Sequence, residues 1–220
     1  MKRYVCALLA LLAVHAATAG VIFSEDFEGG VNQDVIPVGI LSGTQFEVIS
    51  GNVDHIKDDA DPASPYAVMC GAGGSCIDTT GSQSDPSSPG RGEMRTINEI
   101  SFLPGLYYIS FNLQGWSFDE FQATASIQVL IPGLLDVTLF RDGSGNPHLP
   151  ERIPFEVNSA QAVKLTFRDL GGNFGFAGAI LDDVEVGTAT PEPSSLLLLL
   201  PALAGIAFWR RRSGALAAGK

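Results

Sequence analysis

Short segments of alternating apolar and polar residues, separated by glycine- and proline-rich turns, constrain the fold of this chain more than any other feature. The segments span residues 46–49, 66–69, 96–102, 106–113, 127–131, 135–140, 163–167 and 180–186. A period of two is typical of half-buried β-strands, because successive side chains point to opposite faces. Residues 32–43, 58–65 and 81–92 have the composition of loops. The pattern predicts an all-β, antiparallel β-sandwich over residues 20–187.

The first 19 residues have the three parts of a secretory signal peptide. Lys2 and Arg3 form a basic start, residues 5–14 are an uncharged apolar run, and Ala17 and Ala19 are small residues at the expected cleavage site. A bilayer span needs roughly 20 residues, so the length of the run favours cleavage by signal peptidase after Ala19 over a retained anchor.

A second apolar run lies near the C-terminus and is followed directly by positive charge. Residues 194–209 carry no charged side chain, and Arg210, Arg211 and Arg212 come next. Such a helix has no polar face to present to water, and arginines beside a span stay in the cytoplasm. The sequence predicts a linker at 188–193, a transmembrane helix with its arginine cluster at 194–212, and a cytoplasmic stub at 213–220.

Pro191, Glu192 and Pro193, followed by this apolar run and arginine cluster, resemble the PEP-CTERM sorting signal of bacterial exported proteins. The resemblance implies recognition by a membrane-embedded exosortase, which cleaves near the Pro-Glu-Pro motif and releases or transfers the domain. It also implies an inner-membrane-anchored precursor whose product reaches the cell surface or an extracellular, exopolysaccharide-containing biofilm matrix. The chain departs from many tails of the family by continuing past the arginines.

The domain between the two ends is strongly acidic. Residues 20–190 contain seven basic and 23 acidic side chains, a net charge of −16. Nucleic acids and anionic membrane surfaces would be repelled, so neither is an expected partner of the domain. The charge is compatible with a neutral polysaccharide, with cations, or with solubility alone.

Two cysteines remain once the signal peptide is removed. Cys70 and Cys76 enclose five small residues, three of them glycine, and this stretch is flexible enough for the sulfurs to meet. Outside the cytoplasm this spacing favours a structural disulfide over a free dithiol. A metal site would need further ligands, and the histidines, His55 and His148, are isolated in the sequence.

Three short strings resemble parts of the jelly-roll sandwiches of carbohydrate-binding modules. They are residues 26–30 (DFEGG), taken as the opening strand, residues 104–111 (PGLYYISF), and residues 180–186 (ILDDVEV). The resemblance covers most of residues 21–186, and it implies a jelly-roll fold and a non-catalytic association with polysaccharide.

The last predicted strand contains a candidate metal ligand. Asp182 would share a strand face with Ile180, Val184 and Val186, and three apolar neighbours predict that this face points inward. Modules of the resembled type hold a structural calcium where their first and last strands meet, which implies Glu25 or Glu28 as a further ligand. Carboxylates are suitable calcium ligands, but Asp182 could instead accept backbone N–H groups.

A second acidic cluster surrounds His55. Asp54, Asp58, Asp59 and Asp61 do not have the spacing of an EF-hand loop, which needs a glycine at its sixth position and a closing glutamate. The sequence predicts a solvated loop here.

Aromatic residues after Gly115 are candidates for binding a sugar. Trp116, Phe118 and Phe121 cluster in a predicted loop, and exposed aromatic rings can stack on the faces of sugars. The alternative is that these side chains pack over the edge of the core.

Catalytic motifs are absent from the sequence. It contains no Gly-x-Ser-x-Gly elbow, no His-Glu-x-x-His and no phosphate-binding glycine loop. The sequence therefore predicts a non-enzyme. Two functions stay open, a polysaccharide-associated module and a structural envelope or biofilm-matrix protein without specific glycan binding.

Overall fold

A computed structural model describes residues 20–57, 70, 74–81, 90–115, 117–118, 121–122, 124–142, 149–172 and 178–189. These residues belong to one compact unit, Gly20–Ala189. The predicted signal peptide and residues 190–220, which contain the predicted sorting motif, lie outside them, whereas residues 188 and 189 of the predicted linker belong to the unit. No helix in the described ranges has the length and apolarity to cross a membrane.

The described residues form short strands that follow one another along the chain. In order they are β1 (Val21–Glu25), β2 (Gln33–Ile36), β3 (Gly39–Ile40), β4 (Phe46–Ser50), β5 (Val53–Lys57), β6 (Ser75–Asp78), β7 (Glu93–Thr96), β8 (Ile100–Phe102), β9 (Gly105–Gly115), β10 (Ser117–Phe118), β11 (Phe121–Gln122), β12 (Ala125–Ile131), β13 (Leu135–Arg141), β14 (Leu149–Val157), β15 (Gln161–Val163), β16 (Thr166–Gly172) and β17 (Ala179–Thr188).

Two large antiparallel sheets form a β-sandwich. The first sheet has the order β14-β9-β17-β6-β5-β2, and β1 pairs with β17; the second has the order β13-β12-β16-β7-β4-β3. Two small two-stranded sheets, β10-β11 and β15-β8, lie outside these paths. The predicted all-β jelly-roll sandwich is therefore confirmed.

A row of aromatic rings connects the two sheets through the core. Phe46 of β4 contacts Phe27 and Phe167, with ring centroids 5.7 and 6.1 Å apart. Phe167 of β16 meets Phe111 of β9 edge to face at 5.4 Å. All four rings are fully buried. Edge-to-face and tilted aromatic pairs add stability beyond the apolar area they bury, so these contacts link the two layers.

Several predicted boundaries are wrong. Residues 32–43 contain β2 and β3, although they were expected to be a loop. The expected strand 96–102 is interrupted between β7 and β8, and the expected strand 163–167 between β15 and β16. Residues 26–30 form a turn after β1, not an opening strand.

The predicted solvated loop around His55 is also wrong where the structure describes it. Asp54 and His55 lie inside β5 and are buried. The two ring nitrogens of His55 lie 2.8 and 2.9 Å from the carbonyl oxygens of Val31 and Phe27. A Cβ atom at Gly30 would come within 1.9 Å of this ring, so glycine allows the turn to close over the histidine. Asp58, Asp59 and Asp61 lie outside the described residues.

A β-bulge in β17 overturns the expected orientation of Asp182. Asp182 pairs with Asn112 and Glu185 pairs with Ser110, so the register shifts between them, and Asp183 has a φ of 50°. Val184 belongs to the core between the sheets, as Leu181 does before the bulge. An extra residue in one strand reverses the alternation of faces. Asp182 therefore lies on the side of the first sheet away from the core.

The aromatic row gives a direct test of the packing. Replacing Phe167 with alanine should lower the free energy of unfolding by about 3–5 kcal/mol, because a fully buried ring leaves a cavity. The matched control is Phe140→Ala, which removes a ring that is 59% exposed and should change stability by about 0.5 kcal/mol or less. Urea denaturation of the two variants measures both values. Equal losses would contradict the assignment of Phe167 to the core.

Candidate functional site

The predicted disulfide is confirmed. Cys70 and Cys76 are bonded, with their Cα atoms 5.2 Å apart. Both are buried and form a small apolar cluster with Ile56 and Ile180. Ile180 is paired with β6 and Ile56 lies on β5, so this cluster covers the side of the first sheet away from the sandwich core.

Glu28 binds the cysteine loop. Its Oε1 accepts a hydrogen bond from the backbone N–H of Ser75 at 2.7 Å, and Ser75 Oγ lies 3.5 Å from Oε2. Gly74 has no side chain that would press on this carboxylate, since a Cβ there would be 2.9 Å from Oε1. Glu28 therefore ties the turn after β1 to the start of β6.

Glu25 connects the end of β1 to the turn before β4. One carboxylate oxygen accepts from the N–H of Phe27 at 2.9 Å, and the other accepts from the N–H of Gln45 at 2.6 Å. The side chain is buried. Both oxygens thus satisfy backbone donors that would otherwise lose their hydrogen bonds to water.

Asp182 is a buried carboxylate with a strongly altered affinity for protons. It accepts the N–H of Asp183 at 2.7 Å. Burial, followed by the negative charges of Asp183, Glu28 and Asp26, raises the pKa of Asp182 to about 7. The neighbourhood is thus acidic. The hydrogen bond from the Asp183 N–H favours the ionised form of Asp182 and offsets only part of the rise in its pKa.

The three candidate calcium ligands do not form a joint ligand set. Each of Glu25, Glu28 and Asp182 already accepts a backbone N–H group. No group of three or more histidine, cysteine, aspartate or glutamate side chains in the described ranges is arranged to hold a metal ion. These three side chains therefore do not form a calcium site by themselves in the described ranges, and calcium binding stays a prediction.

An open acidic groove of about 460 Å³ lies beside the bulge in β17. It is lined by Ser24, Glu25, Asp26, Gly43, Gln45, Asp183, Val184 and Glu185. Asp183 accepts a hydrogen bond from Asn112 Nδ2 at 2.7 Å, and Glu185 accepts one from the Tyr108 hydroxyl. The hydrogen bond to Glu185 raises the pKa of Tyr108. The lining carboxylates thus have protein partners and contribute mainly to the negative potential of this surface.

The outer face of the second sheet differs from the acidic groove, because its charged side chains form pairs of opposite charge across neighbouring strands. Arg168 of β16 donates from Nε and Nη2 to the two oxygens of Glu93 on β7, each at 2.9 Å. Its Nη1 lies 3.5 Å from the side-chain oxygen of Gln128 on β12. Gln128 in turn donates to Asp136 on β13 at 2.7 Å. The result is a continuous polar row across four strands, which we call the outer ladder.

A second set of charge pairs extends this face towards the other sheet edge. Glu47 of β4 accepts from Arg95 Nε at 2.8 Å and from Lys164 Nζ at 2.9 Å. These hydrogen bonds, that from Lys164 first, lower the pKa of Glu47. The carboxylates of this face therefore lie beside cations or an amide, unlike those of the acidic groove.

Phe140 stands on the same face and was missed by the sequence predictions. It is 59% exposed and lies opposite Ser126 on β12. A signal was present in the sequence: Leu135, Val137 and Leu139 alternate inward, which places Phe140 with the outward residues. The structure thus presents an exposed aromatic ring at one side of the outer ladder.

The predicted sugar-binding aromatics cannot be placed as a group. Trp116 lies outside the described residues. Phe118 and Phe121 are backbone pairing partners in the β10-β11 hairpin, although a loop was expected, and their side chains lie outside the described part of the structure. The sorting residues 191–193 and 210–212 also lie outside the described ranges.

Glu25 provides a stability test at this site. Glu25→Ala should lower the free energy of unfolding by about 2 kcal/mol, because two backbone donors lose a charged acceptor. The control is Asp26→Ala, since Asp26 is exposed and accepts one local N–H from Glu28; this change should cost about 0.5 kcal/mol. Chemical denaturation compares the two. A Glu25→Ala variant as stable as Asp26→Ala would contradict the proposed anchoring role.

The chain matches no family model and no curated protein. Among solved structures it is similar to the CBM22-1 xylan-binding domain of Paenibacillus barcinonensis Xyn10C, with 12% identity and a TM-score of 0.44 over 79% of this chain and 97% of that one. It is also similar to the carbohydrate-binding module CBM6cm-2 of Cellvibrio mixtus lichenase 5A, with 13% identity and a TM-score of 0.40 over 77% and 99% of the two chains. The K3 cleaved adhesin domain of Porphyromonas gingivalis Lys-gingipain matches with 16% identity and a TM-score of 0.41 over 78% and 100%.

Proposed function

We propose that this chain is an exported, non-catalytic β-sandwich that associates with polysaccharide through the outer face of its second sheet. The observation that carries the proposal is the outer ladder beside the exposed ring of Phe140. Neighbouring strands lie about 4.8 Å apart, so the four strands of the ladder span roughly 15 Å. That length suits an oligosaccharide segment better than a single sugar ring.

The chemistry of the ladder suits hydroxyl groups. Arg168, Gln128 and Asp136 are held in fixed positions by one another, and each retains further donor or acceptor capacity. A sugar hydroxyl both donates and accepts hydrogen bonds, so it can bind to this row of donors and acceptors without carrying a charge itself. Phe140 adds an apolar surface on which the C–H face of a sugar can pack.

The ligand class follows from the overall charge. The domain carries a net charge of −16 over residues 20–190, which repels polyanions at low ionic strength. A neutral polysaccharide experiences no such repulsion. We therefore propose a neutral glycan, in an exopolysaccharide matrix, as the partner.

The paired carboxylates of this face argue for binding without catalysis. Glycoside hydrolysis needs two carboxyl groups, one of which acts as an acid with a raised pKa. Glu93 is paired with Arg168, and the pKa of Glu47 is lowered by its two cationic partners. Glu47 therefore lacks the raised pKa of a general acid, and both oxygens of Glu93 accept hydrogen bonds from Arg168.

Export and processing complete the proposal. Signal peptidase would cleave before Gly20, and an exosortase would act near Pro191-Glu192-Pro193 on a precursor anchored in the inner membrane. The two ends of the compact unit are tied together: the N–H of Gly20 donates to Thr188 Oγ1 at 2.8 Å, and the N–H of Thr188 donates to the Gly20 carbonyl at 2.9 Å. Cleavage at both points would leave this unit whole and free to reach the cell surface or matrix.

Retention on polysaccharide tests the binding surface. Affinity electrophoresis of the purified protein through gels containing xylan, β-glucan or another neutral polysaccharide should show retardation. Phe140→Ala and Arg168→Leu should each weaken it about tenfold, equivalent to about 1.4 kcal/mol. The control is Leu103→Ala, which removes another exposed apolar side chain, in the turn between β8 and β9, and should leave retention unchanged.

The outcomes separate the alternatives. Loss of retention in Trp116→Ala but not in Phe140→Ala would move the binding site to the β10-β11 hairpin. Absence of retention by the unaltered protein on every polysaccharide would favour the structural envelope or matrix role.

A calcium titration tests the remaining expectation for this fold. Because the carboxylates of Glu25, Glu28 and Asp182 already accept backbone N–H groups, we expect CaCl₂ to leave the melting temperature unchanged relative to EDTA. A rise that Glu28→Gln and Asp182→Asn both abolish would instead establish a structural calcium at these residues.

A further inference from the structure

A corner of the sandwich brings three buried carboxylates close to the junction of the two sheets. Asp54 of β5 and Asp78 of β6 are direct cross-strand partners. Asp169 of β16 belongs to the opposite sheet, and all three side chains are buried, with 3–4% exposure. Like charges placed directly opposite each other destabilise a sheet, so this arrangement depends on the protonation of its members.

Asp78 organises the end of the first sheet. Its Oδ1 accepts the N–H of Thr80 at 2.9 Å and the N–H of Gly178 at 3.1 Å. Thr79 binds the next strand, because its N–H and hydroxyl both donate to the carbonyl of Ala179. Asp78 thus holds the chain where it leaves β6.

Thr80 then carries the connection to the second sheet. Its hydroxyl donates a hydrogen bond to Oδ2 of Asp169. The other carboxylate oxygen of Asp169, Oδ1, accepts the N–H of Gly171 at 2.6 Å. The backbone makes a second connection at the same place. The N–H of Gly92 donates to the carbonyl of Thr79 at 2.8 Å, and the N–H of Asp169 donates to the carbonyl of Gly92 at 2.9 Å. Side-chain and backbone bonds therefore close the same corner.

The charged groups around the corner are mostly negative. Asp54 and Asp169 both act on Asp78 with the same sign of charge. Arg91 is the cation that acts on Asp169, and its guanidinium packs where a Cβ atom at Gly171 would lie. Arg91 thus offsets part of the negative charge of Asp169.

We propose that the corner formed by Asp54, Asp78, Thr80 and Asp169 is a protonation-dependent latch between the two sheets. At acidic pH, protons retained on the carboxyl groups relieve the repulsion among them, and the corner stays closed with its hydrogen bonds through Thr80. At alkaline pH, ionisation places like charges together and loosens the connection at residues 79–80 and 91–92.

The direction of the pKa shifts agrees with the geometry. Burial raises the pKa of Asp78 well above its usual value, and the charges of Asp54 and Asp169 add to this effect. Burial also raises the pKa of Asp169 to about 6, against the lowering effects of the Gly171 N–H and Arg91. A group with a raised folded-state pKa binds protons more tightly in the folded protein, so its contribution to stability is complete below the unfolded-state pKa of about 4 and declines as pH rises through the folded-state value.

Thermal melting across pH tests the latch. In EDTA, the melting temperature of the full chain should fall by about 5–10 °C between pH 5 and pH 8. Asp78→Asn and Asp169→Asn keep the shape and an acceptor oxygen but cannot ionise, so each should reduce this fall and the double variant should reduce it most. The fall that remains in the double variant is expected from Asp182, whose pKa is raised to about 7. The matched control is Asp34→Asn at an exposed position, which should retain the full pH dependence.

Two results would overturn the proposal. One is a double variant with the same pH dependence as the unaltered protein. The other is stabilisation at pH 8 by added CaCl₂ that Asp78→Asn abolishes, because a bound cation would then replace the protons.

A measurement on the unaltered protein covers the case in which a variant does not fold. Carbon-detected NMR should show the carboxyl groups of Asp78 and Asp169 titrating above the usual aspartate pKa of about 4, together with falling hydrogen-exchange protection of the Gly92 and Asp169 amides as they ionise. Titration of both groups below pH 4 would exclude the latch.

Discussion

The pairing of β17 on both of its edges is the interaction on which the rest of the structure depends. One edge pairs with β9 over most of its length, while the other pairs with β6 before the bulge and with β1 after it. The bulge at Asp182 and Asp183 separates these two halves. It lets Leu181 and Val184 both reach the core, turns Asp182 to the other side of the sheet, and leaves the acidic groove beside it.

Local alternation was enough to predict the strands whose two faces differ in polarity. Residues 106–113, 127–131 and 135–140 fall within β9, β12 and β13 because each has a core face and a polar face. β5 was missed because Asp54 and His55 look solvated, and only the carbonyl oxygens of the turn at residues 27–31 make burial of the histidine favourable. A bulge has no comparable sequence signal, so the face of Asp182 could not be read from its neighbours.

The candidate sites likewise differ in whether local sequence was enough to predict them. The disulfide was predictable because its two cysteines are close in sequence. The exposure of Phe140 was not predicted, although the strict alternation of β13 contained the signal for it. The outer ladder and the buried corner were not predictable, because their members come from strands that are distant in the chain. Thr80 and Asp169 are 89 residues apart, and Arg168 and Glu93 are 75 apart; only the order of strands in the sheets brings them into contact.

The position of Thr188 has a mechanical consequence for a tethered domain. Thr188 ends a strand that is hydrogen-bonded to β9 on one side and to the Gly20–Glu25 segment on the other. Tension applied through the C-terminal tail pulls along this strand, so its hydrogen bonds are loaded together in shear. Tension applied between the two adjacent ends would instead peel β1 from β17 one bond at a time. A domain held by its tail against a flowing matrix would therefore resist force better than one stretched from both ends.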